Sequence, residues 1–156
     1  MGVAGAGKTT VGQALAVRLG WAFQDADDLH SAAALHAMAA GRALTEADRA
    51  PWLARLATLV RTRLADGPRT VLACSALRAS YRSRLHAGDP RVLVAWLDAP
   101  PDVLAARLTA RKGHVAGVDL LPSQLATLEP PADAFRLDAT RPVAESTDAL
   151  VRRVTR

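Results

Sequence analysis

Apolar residues along the chain switch between helical spacing and short continuous runs. Val11, Leu15 and Leu19 recur at helical spacing within 9–19, and Gly20 closes that stretch, so it predicts a helix. Positions 21–24 predict a short strand that runs into the acidic residues Asp25, Asp27 and Asp28. The alanine-rich stretch 31–40 predicts a helix stopped by Gly41. Thr45 is the expected cap of the next helix, with Glu46 and Asp48 in its first turn, where the helix dipole favours acids. That helix extends to about position 65, where Asp66-Gly67-Pro68 ends it. The apolar runs 70–74 and 92–97 fit buried parallel strands. Further helices are expected over 78–86 and 101–110, the second with Pro101 in its first turn. Positions 111–118 are polar and contain glycine, which predicts a loop; 120–128 predict a short helix, 135–137 a last strand, and 143–154 an amphipathic terminal helix.

Strands separated by helices imply a parallel sheet with right-handed crossovers, an α/β three-layer fold. No linker or repeat divides the 156 residues, so a single domain over 1–156 is expected. Half of the residues are hydrophobic and 22% are charged, as in ordinary globular proteins. No apolar run approaches the roughly 18 residues of a membrane span, and the single cysteine, Cys74, fits a reducing compartment, so a cytoplasmic protein is expected. The net charge is +5, and of 20 basic residues only Lys8 and Lys112 are lysines. Scattered arginines with 4% aromatics argue against a nucleic-acid partner and for a small anionic ligand.

Candidate chemistry begins at once. Gly2-Val3-Ala4-Gly5-Ala6-Gly7-Lys8-Thr9 fits G-x-x-x-x-G-K-[ST] and leads into a predicted helix. Glycines let successive N–H groups turn toward phosphate oxygens, and the helix terminus adds partial positive charge. Gly2, Gly5, Ala6, Gly7, Lys8, Thr9 and Thr10 are therefore the expected ATP-binding residues, with Lys8 on the β- and γ-phosphates and Thr9 on magnesium.

Phosphoryl transfer also needs a group to orient the attacking hydroxyl. Asp25 and Asp27 follow a predicted strand, and ligands of parallel sheets sit at the carboxyl ends of strands. Asp27 is the better candidate for the substrate hydroxyl, with His30 close by; Asp25 is the candidate for magnesium. The run 70–74 ends in Cys74-Ser75 rather than an aspartate, which shifts the metal role to Thr9 and the Asp25/Asp27 pair. Arg107, Arg111, Lys112 and His114 mark a basic segment, about 107–118, that could close over the γ-phosphate as a lid. Trp52, Tyr81 and Cys74 read as packing residues.

Together these motifs resemble the gluconokinase family, small P-loop kinases that phosphorylate D-gluconate on O6 with ATP. The resemblance extends over nearly the whole chain, through GVAGAGKTT (2–10), DADDLH (25–30), MAAGRALTEADRAPWL (38–53), CSALRASYR (74–82), RLTARKGH (107–114) and LLPSQLATLEPP (120–131). It implies that Asp27 activates the gluconate hydroxyl and that His30, Arg49, Arg78, His114 and Gln124 lie on the substrate side, with arginines suited to the carboxylate. Arg107, Arg111 and His114 would belong to the lid, and Arg141 would lie near the adenine. A homodimer is the implied assembly.

Where the family usually reads L-H-P-x-x-N-x-x-K-M, this chain has Ala34 and Ala37 in place of the amide and the lysine. These departures bear on substrate identity. The alternatives are a kinase of another small hydroxy-acid, such as shikimate, and a nucleotide-binding protein with impaired catalysis. A phosphate loop is also the turn out of a buried strand. That strand is expected ahead of Gly2, in mid-sheet between 70–74 and 92–97, where only Met1 stands. In the family the residue before the G-V pair is often a methionine within a longer chain. Met1 is accordingly read as an internal methionine preceded by about five to ten strand residues.

Overall fold

The computed structural model describes residues 1–110 and 117–155. The element order is α1 (Lys8–Leu19), β1 (Ala22–Asp25), a 3₁₀ turn (Ala26–Leu29), α2 (Ala32–Ala39), α3 (Glu46–Ala65), β2 (Thr70–Ala73), α4 (Ala79–Arg84), β3 (Ala95–Asp98), α5 (Pro101–Ala110), α6 (Gly117–Thr127), β4 (Phe135–Asp138) and α7 (Val143–Val154). Every strand is followed by helix, so all strand pairing is parallel. None of the helices among the described residues is long and apolar enough to cross a membrane.

Two strand pairs form, β1–β2 with Ala22 opposite Thr70 and β3–β4 with Ala95 opposite Phe135. Met1 and Gly2 lie between the pairs. The Leu97 N–H donates to the Met1 carbonyl at 3.0 Å, the Met1 amine donates to the Ala95 carbonyl, and the Gly2 N–H donates to the Ser75 carbonyl at 3.2 Å. The phosphate loop is thereby anchored against the carboxyl ends of both central strands.

Alternation along β2 shows how the core divides. Val71 packs against the cluster that holds Val11, Leu15, Leu97, Leu104, Leu137 and Leu150, whereas Leu72 packs against the one that holds Trp52, Leu53, Leu56, Tyr81 and Leu85. The sheet thus separates a core under α1, α5 and α7 from one under α3 and α4. Leu56 is fully buried. A third, small cluster joins Ala34, Ala37 and Leu44.

Several boundaries differ from those expected, each for a local reason. β1 starts one residue later and ends on Asp25. β3 begins at Ala95 rather than at position 92, because the Val92 N–H is held in a turn by the Asp89 carbonyl at 2.9 Å. α4 is shorter than 78–86: Arg78 is extended (φ −92°, ψ 144°) and His86 takes φ 55°. α6 starts at Gly117, so Gly117 and Val118, expected in a loop, are helical. Thr45 does cap α3. Its hydroxyl accepts from the Asp48 N–H at 3.2 Å, while the Asp48 carboxylate accepts from the Thr45 N–H at 2.9 Å.

Candidate active site

The phosphate loop owes its path to two glycines. Gly5 (φ 80°) and Gly7 (φ 89°) are left-handed, a conformation glycine adopts without a Cβ penalty. A Cβ at Gly5 would also stand 3.0 Å from the Leu104 carbonyl oxygen. α1 starts at Lys8 with no side chain capping its first turn, so no capping side chain competes with an anion there. Lys8 Nζ folds back over the loop and donates to the Val3 carbonyl at 3.0 Å. Gly5, Ala6, Gly7, Lys8, Thr9 and Thr10 all line a cleft of about 1070 Å³, room for two ligands side by side. Gly2 does not line it. A Cβ there would lie 2.6 Å from the Leu97 carbonyl oxygen, so this glycine serves the close approach of backbone in the sheet.

At the end of β1 the Thr9 hydroxyl donates to Asp25 Oδ2 at 2.8 Å. Asp25 Oδ1 accepts from the Asp27 N–H at 3.1 Å, capping the 3₁₀ turn and aiming Asp27 into the cleft. A hydroxyl and a carboxylate side by side are hard oxygen donors that fit magnesium. Among the described residues no three His, Cys, Asp or Glu side chains gather around one point. A divalent ion here would complete its shell with water and phosphate oxygens, which is magnesium's habit at phosphate sites.

Asp27 is reached by solvent within the cleft. The cleft walls nonetheless displace enough bulk water to raise its carboxyl above the ordinary value, and Asp25 adds repulsion. His30 Nε2 lies 4.0 Å from Asp27 Oδ1. The imidazole stacks on Trp52 with centroids 4.6 Å apart and planes 6° from parallel. Burial pushes the His30 pKa down, so the ring is neutral near pH 7. Its Nδ1 is buried without a partner. Trp52 is core, as expected, but it also positions: its Nε1 donates to the Ala26 carbonyl at 2.7 Å and fixes the turn that carries Asp27.

The opposite wall joins α3 to α4. Arg49 Nη1 donates to Glu46 Oε1 at 3.1 Å, the Tyr81 hydroxyl reaches the same carboxylate at 2.7 Å, and Arg78 Nε lies 3.9 Å from it. Arg49 and Tyr81 line the cleft; Arg78 stands behind them against Glu46. Glu46, expected only as a first-turn acid, and Tyr81, expected in the packing, both support this wall. The available signal was spacing: Glu46 to Arg49 and Arg78 to Tyr81 are both helical neighbours.

At the far end Arg107 Nη2 donates to the Ala139 carbonyl at 2.8 Å, and Arg141 Nε lies 3.8 Å from Asp138. Both line the cleft beside the ends of β3 and β4. Arg107 is therefore held at the end of β4 in this arrangement. Gln124 lines the cleft too, but its Oε1 accepts from the Ala4 N–H of the phosphate loop at 2.7 Å. Arg111, Lys112 and His114, assigned to the lid, lie outside the described residues. Cys74 is buried with its thiol pushed up to about 11 by burial, which suits a packing residue.

One cleft thus holds a phosphate loop, a strand-end aspartate pair and an arginine-bearing wall. A family model described as Shikimate kinase matches residues 4–128. The gluconokinase of Gluconobacter oxydans is 50% identical over 133 residues, 85% of this chain and 75% of that protein. The chain belongs to the gluconokinase family. Solved structures agree. A gluconokinase from Sinorhizobium meliloti superposes with a TM-score of 0.83 at 37% identity, covering 99% of this chain and 91% of that one. A sugar kinase from Janibacter sp. gives a TM-score of 0.88 at 39% identity, covering 97% and 90%.

Membership in the gluconokinase family puts the two alanine departures in perspective. Ala34 and Ala37 are buried with Leu44 in the small cluster under α2. The cleft is lined from this region by Leu35, Met38, Ala39, Arg42, Ala43 and Leu44, and not by Ala34 or Ala37. The substitutions change packing beneath α2, not the cleft surface.

Proposed function

We propose that this protein transfers the γ-phosphoryl group of ATP to the 6-hydroxyl of D-gluconate, with magnesium bound at Thr9 and Asp25. The observation that carries the reading is that Asp27 lines one cleft with the phosphate loop, Arg49 and Tyr81, the last two held together by Glu46. Backbone N–H groups of Gly5 to Thr9 and Lys8 hold the β- and γ-phosphates. Magnesium, when bound, supplies charge neutralisation on the phosphate oxygens.

Asp27 accepts the O6 proton as the O6–P bond forms and the bond to the β-γ bridging oxygen breaks, releasing ADP. Its raised pKa strengthens it as a base. Arg49 offers its remaining donors to the gluconate carboxylate, and a bidentate pair there selects an acid over a neutral sugar. Arg107 and Arg141 serve the nucleotide end, and Arg111 and His114 act from the segment between α5 and α6. A small neutral imidazole, His30, orients acceptor hydroxyls beside Asp27.

A substrate panel with ATP and magnesium tests this reading. D-gluconate turns over with the highest kcat/KM, and shikimate and neutral hexoses turn over poorly. Preferential turnover of shikimate would assign the cleft to the other acid.

A further inference from the structure

The S-Q-x-x-T-L-E segment, Ser123 to Glu129, is prominent in the sequence and lends Ser123, Gln124 and Thr127 to the cleft lining, yet supplies no reacting group. The structure gives it two anchor points. At one end Gln124 Oε1 accepts from the Ala4 N–H of the phosphate loop at 2.7 Å. At the other, the Glu129 N–H donates to the Leu77 carbonyl at 2.9 Å, and Glu129 Oε2 accepts from the Ala79 N–H at 2.6 Å. Ala79 is the first residue of α4, and Arg78, its cap position, makes no side-chain capping bond. Glu129 therefore caps α4 from a distant part of the chain.

Little slack separates the two anchors. The Leu128 N–H donates to the Gln124 carbonyl at 2.9 Å, continuing the helical turn out of α6. Leu121 is buried, and Leu125 and Leu128 pack against the same core. Beyond Glu129, α4 carries Tyr81, with Arg78 at its cap position, and Tyr81 holds Glu46 beside Arg49. A short segment thus runs from the phosphate loop at Ala4 to the start of α4, and through Tyr81 to Glu46 and Arg49.

We propose that Gln124 and Glu129 are positioning residues that couple the two halves of the cleft, so that filling one half tightens the other. Gln124 acts through the phosphate loop and Glu129 through α4. Coupling of this kind is reciprocal in binding free energy. The acceptor's identity rests on the gluconate reading; the link between the two halves does not.

Crossed effects test the coupling, because a local structural role moves only the adjacent subsite. Glu129→Ala, on the acceptor side, weakens binding of the magnesium complex of a non-hydrolysable ATP analogue by about fivefold in calorimetry. Gln124→Ala, on the nucleotide side, raises the gluconate KM by a similar factor. Glu129→Gln keeps an acceptor for the Ala79 N–H and restores most of the loss. The double variant loses less than the product of the single losses. Thermal midpoints are recorded alongside, and at a temperature where all variants are folded the crossed effects persist.

Purely local effects, or losses that multiply independently in the double variant, would overturn the proposal. If the wild-type protein binds the analogue but does not turn over gluconate, the functional reading fails instead. The Glu129→Ala effect on analogue binding still decides the coupling.

Discussion

The Tyr81 hydroxyl stands within hydrogen-bonding distance of both oxygens of Glu46, at 2.7 and 2.8 Å, and so fixes the carboxylate that in turn holds Arg49. This bond, followed by the nearby arginines, keeps the Glu46 carboxyl below its ordinary pKa, so it is charged through the physiological range. Tyr81→Phe removes the hydroxyl and leaves the ring that packs in the core. The expected result is a gluconate KM raised by about two- to fivefold, the scale of one solvent-accessible hydrogen bond, with the ATP KM little changed. Steady-state kinetics with each substrate varied in turn checks it. An unchanged gluconate KM would place the acceptor elsewhere.

Asp27→Asn removes the base without altering shape. The rate constant kcat falls by about 10²- to 10⁴-fold, while nucleotide binding persists. In the wild type, kcat/KM falls as pH drops through the Asp27 pKa. Burial and Asp25 raise that value, so the acid limb lies above the ordinary aspartate range near 3.8. A limb at or below that value would contradict the assignment.

The same shift has a consequence for stability. The folded state binds the Asp27 proton more tightly than the unfolded chain does. The unfavourable contribution of ionised Asp27 therefore sets in as pH rises from the unfolded pKa and is complete above the folded one. Asp27→Asn relieves it, so the inactive variant melts higher than wild type at neutral pH. The two melt alike at acid pH, where Asp27 is protonated in both states. Melting curves across pH show whether the difference opens with rising pH, as this sign requires.

Asp25→Asn weakens the hydroxyl–carboxylate pair with Thr9 and removes a charge from the expected magnesium position. The magnesium concentration for half-maximal activity rises by about 10- to 100-fold, and excess magnesium recovers part of the rate. Unaltered magnesium dependence would remove Asp25 from the metal site.

Ala34 lies in an apolar cluster, away from the cleft surface. Ala34→Asn therefore buries an amide without a partner and destabilises the protein by about 1–3 kcal/mol. It does not lower the gluconate KM. A variant with improved gluconate KM and unchanged melting would mean that α2 presents this position to the substrate.

Much of this was legible in the sequence where a motif states its own geometry. The glycines of the phosphate loop imply the left-handed turns at Gly5 and Gly7, and Thr45 with Asp48 implies the capping box. Strand-end placement marks Asp25 and Asp27 in the sequence itself. What stayed hidden depends on contacts between distant segments. Gln124 faces a loop N–H 120 positions away, and Glu129 caps a helix 50 positions away, which no local pattern encodes. Gly2 looks like part of the nucleotide motif but is required by the Leu97 carbonyl in the sheet. The start of β3 was misplaced because apolar Val92 belongs to a turn tied to Asp89, and burial pattern alone does not distinguish the two.

The most direct measurement is the identity of the product. Purified protein is incubated with ATP, magnesium and D-gluconate, and the product is resolved by phosphorus and carbon NMR. The cleft geometry predicts one equivalent of ADP for each phosphate ester formed, with the phosphorus coupled to carbon 6 of gluconate. Phosphate on a different carbon, or ADP released without any gluconate ester, would contradict the alignment of Asp27 between the phosphate loop and the arginine wall.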